Sequence, residues 1–209
     1  MSVIEKPIVY GTVAFWLGKK AEEAKSHKWT CYVRANRPDE DLSHYVRKVV
    51  FQLHPSFNPA TRVVEKAPFE VTEHGWGEFD IGVQIHFSDP AESPVDISVP
   101  LRLYPETGEQ LVQKRAVVAE RYDELVFNEP SEAMRAKLLQ ANKPGMGWSN
   151  HPLAEHWTTY EPSQEAAKLQ ALHEKVATTL EATSKRKLEL EAEVKALHGE
   201  ISQLENKMR

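Results

Sequence analysis

The stretch "FEVTEHGWGEFDIGVQIHF", Phe69 to Phe87, falls into two halves. In the second, Phe79, Ile81, Val83, Ile85 and Phe87 alternate with Glu78, Asp80, Gly82, Gln84 and His86, the period of a strand with one apolar and one polar face. The first half runs into Gly75-Trp76-Gly77, the largest side chain set between two residues that have none. Glycine lets another backbone or a ligand come close, and an indole in a turn is costly to leave in water.

Outward from this strand, the chain up to about residue 130 repeats the same grammar. "PIVYGTVAFWL" (Pro7 to Leu17), "HKWTCYVRA" (His27 to Ala35), "YVRKVVFQLH" (Tyr45 to His54), "VDISVPLRLYP" (Val95 to Pro105) and "YDELVFNEP" (Tyr122 to Pro130) are rich in β-branched and aromatic residues, with Pro and Gly clusters between them. Many short alternating strands with turn signals predict an antiparallel sandwich. "PSEAMRAKLLQA" then predicts a short helix with Pro130 in its first turn. Residues 1–141 are thus read as a β-sandwich domain with a short terminal helix.

Residues 142–164, "NKPGMGWSNHPLAEHWTTYEPSQ", hold three prolines and no clean period, the pattern of a linker. Yet Trp148, Trp157 and Tyr160 are anchors of the kind found at interfaces, so part of the segment is expected to dock on another surface. Residues 165–209 predict a long helix. Val194, Ile201 and Met208 fall at heptad position a, and Leu190, Leu197 and Leu204 at d, a coiled-coil seam. Carried back, the register meets Lys187, Thr183 and His173, polar core positions that weaken the seam and select a partner.

The 209 residues are 41% hydrophobic and 27% charged, with a net charge of −5, which argues against a binder of nucleic acid held by phosphate contacts. The single Cys31 forms no internal disulfide and suits a reducing compartment. No apolar run approaches a membrane span, and "MSVIEKPIVYGTV" carries no signal-peptide pattern. No nucleophile elbow, Walker loop, zinc-protease helix or paired-cysteine motif is present, so neither catalysis nor a metal or other cofactor is expected. Two loops are suited to binding. "LHPSF" offers His54, Ser56 and Phe57, and "HGWGEF" offers Gly75, Trp76, Gly77 and Phe79. At one end of a sandwich they would wall a slot for a flat, neutral, carbonyl-bearing group. Otherwise Trp76 and Phe57 cap the core and His54 is solvated.

"HKWTCYVR", "VRKVVFQLHPSF", "RVVEKAPFEVTEHGWGEFDI" and "LVFNEP" resemble, in order and spacing from about Pro7 to Leu139, the YEATS domain. The GWGEF loop and the C-terminal heptads resemble the subtype shared by the SWR1 remodeller and the NuA4 histone acetyltransferase, of the glioma-amplified-sequence type. The resemblance implies an immunoglobulin-like sandwich that reads acetyl- or crotonyl-lysine on histone H3 tails in the nucleus. It implies His54, Trp76 and Phe79 as channel walls with Phe57 helping, and Ser56 on the acyl amide. It also implies that the Trp76 N–H takes the acyl oxygen, while Gly75 and Gly77 let the peptide approach. Pro55 departs from the acid common in the "LHxS" loop, and Lys25 stands where some members offer an aromatic.

From Thr61 to Pro100, Glu65, Glu70, Glu73, Glu78, Asp80, Asp89, Glu92 and Asp96 outnumber Arg62 and Lys66, which would draw in a basic tail. The partners that the resemblance implies are an acylated H3 tail and, through the C-terminal helix, subunits of SWR1-like and NuA4-like complexes, with at most a weak homodimer and neither specific DNA binding nor membrane contact expected. The other open reading is an assembly subunit whose slot binds acyl-lysine little.

Overall fold

The computed structural model describes residues 2–105, 112–113, 115–140 and 147–207. Among the described residues, eight strands form two antiparallel sheets. One takes β5 (Phe69–Gly75), β2 (His27–Ala35), β1 (Val3–Trp16) and β8 (Ala116–Asn128) in that order across the sheet. The other takes β4 (Thr61–Val64), β3 (Val46–Gln52), β6 (Asp80–Phe87) and β7 (Val95–Pro100). The inner faces make one core. Ile8, Tyr10 and Ala14 of β1 and Trp29, Cys31, Val33 and Ala35 of β2 meet Val49 and Phe51 of β3 and Ile81, Val83 and Ile85 of β6. Alternation in the sequence therefore reads out as facing residues of two layers.

Two strands have no counterpart among the sequence expectations, β4 and β5. Both are edge strands, and both carry charge, Arg62 in one and Glu70 and Glu73 in the other. Edges are kept polar to prevent strand addition, which weakens their apolar signal. Strand β8 begins at Ala116, six residues before the predicted start, because the 14-residue β1 pairs along it from Val3↔Asn128 to Phe15↔Ala116. Pro130 lies outside the short helix α1 (Glu132–Leu138). The cap is Ser131, whose Oγ accepts the Met134 N–H at 3.1 Å and donates to Asp89. Met134 and Leu138, one turn apart, are buried and dock the helix on the core.

Both faces of β1 and β2 are buried, although only one meets the other sheet. The outer face is covered by residues 147–159, within the segment that reads as a linker. Its first part, residues 142–146, lies outside the described residues. Trp157 packs on Tyr32 and Val13, with Trp148, Leu153 and Phe15 around them. Arg34 pins this strap. Its guanidinium lies 4.7 Å from the Trp148 ring and 5.3 Å from that of Trp157. Nη2 donates to the Glu120 carboxylate at 2.9 Å and the Thr158 carbonyl at 2.8 Å. Tyr32 donates its hydroxyl to the same carboxylate at 2.8 Å. At the other end of the strap the Trp148 indole donates to Ala35 O at 2.8 Å. A Cβ on Gly147 would lie 1.9 Å from Pro38 O, so only glycine fits there.

The chain divides into two compact units, Met1–Thr159 and Tyr160–Arg209. The second is a single helix, α2 (Pro162–Lys207). Leu180, Leu190, Val194, Leu197, Ile201 and Leu204 all lie exposed along it. Met208, the last residue of the predicted seam, is outside the described residues. Before the apolar end, Thr178, Thr179 and Thr183 return their hydroxyls to carbonyls four residues back at 2.8–2.9 Å, so this part of the helix is polar.

The Arg34–Glu120 pair sits with side chains only 4% and 5% exposed. Removing one partner of such a pair leaves charge buried without compensation, at about 3–5 kcal/mol. Arg34→Ala is expected to lower the unfolding free energy by roughly 3 kcal/mol or more. It should also red-shift tryptophan emission as Trp148 and Trp157 lift from the sheet. Chemical denaturation followed by fluorescence checks both, and an unchanged midpoint would show that the strap holds without its cation.

Candidate functional site

The β3–β4 and β5–β6 loops lie together at one end of the sandwich. The first starts with a tight turn, in which the Phe57 N–H donates to His54 O at 3.0 Å and Pro55 occupies the second position, where its fixed φ favours the turn. Leu53 N–H reaches Ala60 O at 2.8 Å and closes the loop behind it. The turn brings the Ser56 N–H to 3.2 Å and the Ser56 Oγ to 2.9 Å from His54 Nδ1. A backbone N–H only donates, so Nδ1 is an acceptor and the proton of the neutral ring sits on Nε2. With the Ser56 hydroxyl also donating to Nδ1, the lone pairs of Oγ are free to accept a ligand N–H.

The second loop leaves β5 at Gly75 and enters β6 at Asp80. Phe79 turns inward, 5.8 Å from Phe57 and 5.9 Å from His54 between ring centroids. Beneath them lies Trp29, 0% exposed, edge-on to Phe57 at 5.8 Å and to Phe79 at 5.9 Å. Such edge-to-face contacts fix ring orientation. A Cβ on Gly75 would come within 3.2 Å of Trp29 Nε1, so this glycine serves close packing. Gly77 is different. A Cβ there would meet nothing within 4 Å, and among the described residues the positive-φ glycine is Gly18. Neither packing nor backbone conformation requires glycine at 77. Trp76 points away from the core and is 66% exposed, the opposite of a capping residue.

Of the residues singled out from the sequence, His54, Phe57 and Phe79 thus form one aromatic cluster, and Ser56 is bonded to its edge. Gly75 belongs to the packing below, and Trp76 and Gly77 stand at the open side. Sequence reasoning missed four neighbours. Trp29 read only as a strand position, since nothing local distinguishes the floor of a slot from core. Glu78 read as a polar strand residue. Its Oε1 accepts the N–H groups of Leu103 at 2.7 Å and Tyr104 at 3.2 Å. Tyr104 read as a strand end, and its ring lies 5.4 Å from His27. His27 is buried, which holds its pKa below the ordinary imidazole value against the opposing charge of Glu78. Lys25 is exposed and pairs with Glu22 at 3.0 Å.

The acidic run is also more engaged than its composition implies. Glu73 pairs with Arg62 at 2.6 Å, Glu70 with His151 at 3.2 Å and Glu78 with Arg102 at 3.3 Å. Asp96 accepts from Gln84, and Asp89 from Ser131 and the Ala91 N–H. Among the described residues no group of three or more His, Cys, Asp or Glu side chains gathers to hold a metal ion.

Residues 24–105, which include all of these loops, match the model of the YEATS family. "Transcription initiation factor TFIID subunit 14b" of Arabidopsis thaliana is 52% identical over 71% of this chain, which spans 55% of that relative's length. "Protein AF-9 homolog" of Eremothecium gossypii is 42% identical over 68% of this chain and 70% of its own. The crystal structure of the Yaf9 YEATS domain bound to H3K27ac is 36% identical, superposes with a TM-score of 0.59, and is matched over 94% of its length by 66% of this chain. With two antiparallel sheets, this loop pair and these relatives, the chain belongs to the YEATS family.

Proposed function

We propose that the chain reads acyl-lysine on the histone H3 tail in the nucleus, as a subunit of chromatin complexes of the SWR1 and NuA4 kind. The observation that carries this reading is the open side of the slot. An indole 66% exposed stands beside a glycine that nothing in the chain requires, on the loop that supplies Phe79 to the cluster of His54, Phe57 and Phe79. The likeness to Yaf9, whose YEATS domain has been crystallised bound to H3K27ac, supports it.

In this reading the aliphatic stem of the modified lysine enters between Trp76 and the Phe57–Phe79 pair, with His54 at the rim. Acylation has removed the ammonium charge, so the desolvation cost is tolerable. The amide N–H donates to Ser56 Oγ, whose own proton is directed to His54. The acyl oxygen accepts from the Trp76 N–H, and Gly77 leaves room for peptide backbone. The faces of the rings suit a planar acyl group. The exposed apolar residues of α2 form the a and d positions of a coiled coil with another subunit. Lys187, at an a position, is held by Glu191 of its own helix at 3.7 Å. A second reading, an assembly subunit with little acyl-lysine binding, draws on that same stripe and on the name of the Arabidopsis relative, a TFIID subunit.

Three outcomes are expected. Trp76→Ala should weaken binding of an acetylated H3 peptide by about 2 kcal/mol or more, a hot-spot loss, without lowering the unfolding midpoint, because the side chain is outside the core. Calorimetric titration and denaturation together check this, and unchanged affinity in the folded variant would falsify the slot. Direct titration should show crotonyl-lysine peptides binding at least as well as acetyl-lysine ones, while a clear preference for acetyl would mean that the far end of the slot is closed. On residues 164–209, sedimentation equilibrium should find weak self-association that Lys187→Leu tightens by on the order of 1 kcal/mol or more, since two ammonium groups no longer meet across the seam. A tight wild-type dimer that gains nothing from the substitution would place Lys187 outside the seam.

A further inference from the structure

Glu78 stands between Gly77 and Phe79 but has no part in the slot as drawn above. Its carboxylate nevertheless takes three donors. Oε1 accepts the backbone N–H groups of Leu103 and Tyr104 at 2.7 and 3.2 Å, and Oε2 faces Arg102 Nη1 at 3.3 Å. One residue on, the Phe79 carbonyl accepts the Leu101 N–H at 2.9 Å. Two residues that follow the open glycine therefore bracket all of Leu101–Tyr104, the segment that leaves β7. Hydrogen bonds to an ionised acceptor are the stronger kind, so this bracket is stiff.

The segment is also fixed from below, since Leu101 and Leu103 are buried in the core. Alternation then turns Tyr104 outward, 49% exposed. Its ring stands edge-on to His27, and His27 is the register partner of Gly75 in the β2–β5 ladder. The exposed phenol is thus held beside the end of β5 that leads into Trp76. An aromatic ring with one edge anchored and one face open is a contact surface of low entropic cost.

We propose that Glu78 is a positioning residue of the acyl-lysine site and that Tyr104, which it holds, is a specificity-determining residue that takes a basic side chain next to the modified lysine. The proposal rests on the acyl-lysine reading of the slot. The ring face attracts a cation, and the aliphatic stem of an arginine or lysine packs on it. Losing Glu78 frees Leu101–Tyr104 and at the same time loosens the turn that sets Gly77 and Phe79. Losing the Tyr104 ring leaves the slot untouched.

The test uses the full chain and three ligands followed by NMR titration. These are capped acetyl-lysine alone, an H3-type peptide with arginine beside the acetyl-lysine, and the same peptide with alanine in place of that arginine. Tyr104→Ala should weaken the arginine peptide by about fivefold or more, the range of an exposed to partly desolvated cation–π contact. It should leave capped acetyl-lysine within about twofold and abolish the difference between the two peptides. Glu78→Ala should weaken all three ligands and speed amide exchange at Leu103 and Tyr104, whereas Glu78→Gln, which keeps an acceptor oxygen, should largely restore both. Equal losses on capped acetyl-lysine and peptide in Tyr104→Ala overturn the specificity role. Unchanged binding and exchange in Glu78→Ala overturn the positioning role. Wild-type affinity in Trp76→Ala overturns the slot reading itself, and the exchange rates, which need no ligand, keep the two failures apart.

Discussion

The fixed point of this molecule is the indole of Trp29. It lies at the end of the core with no exposure, and Phe57 and Phe79 stand edge-on to it from two different loops. The candidate site is therefore the end wall of the hydrophobic core carried up to the surface. The rings of the candidate site are oriented by the packing that stabilises the fold. That economy has a constraint attached. Gly75 is kept small because a Cβ there would press to within 3.2 Å of the indole nitrogen. Rigidity at the base is what allows an exposed ring such as Trp76 to be placed without burying it.

The opposite problem arises on the outer face of the same sheet. Val13 and Tyr32 point away from the core, where a sheet is normally polar, and they are covered by a strap from beyond α1. Arg34 makes the cover specific. Its charge is matched by Glu120, the same Nη2 also reaches the Thr158 carbonyl, Nη1 donates to the Ala35 carbonyl, and its flat faces lie near two indoles. A guanidinium suits such a place because it is weakly hydrated and planar. His151 adds a link from the strap to the start of β5 through Glu70, and its ring stacks at 4.5 Å on Trp157. The strap thus touches the first residues of the strand whose last residue, Gly75, leads into the loop of Trp76.

The two units show opposite relations between sequence and burial. In the sandwich, apolar residues are hidden by chain that is distant in sequence. In α2 they are all exposed, so its regular heptads describe a surface rather than a core. Helix propensity and i,i+4 pairs such as Lys187–Glu191 hold the backbone, while the stripe itself stays exposed.

By itself the sequence determined the sandwich, the long helix and the candidate loops. Period-two alternation in β1, β2, β3 and β6 and period-3.5 spacing from Leu190 to Leu204 follow directly from where side chains point. Gly-Trp-Gly and "LHPSF" stand out because they set aromatic side chains in loops between strands. Only tertiary structure decided the rest. The edge strands β4 and β5 were illegible because edges are kept polar. The floor at Trp29 was illegible because a core tryptophan and a site-supporting tryptophan look alike in a strand. The strap, the Arg34–Glu120 pair and the Glu78 bracket join residues between 22 and 124 positions apart. Local spacing carries no record of such contacts. They come into being only when two sheets close and bring one loop's carboxylate to another segment's unpaired N–H groups.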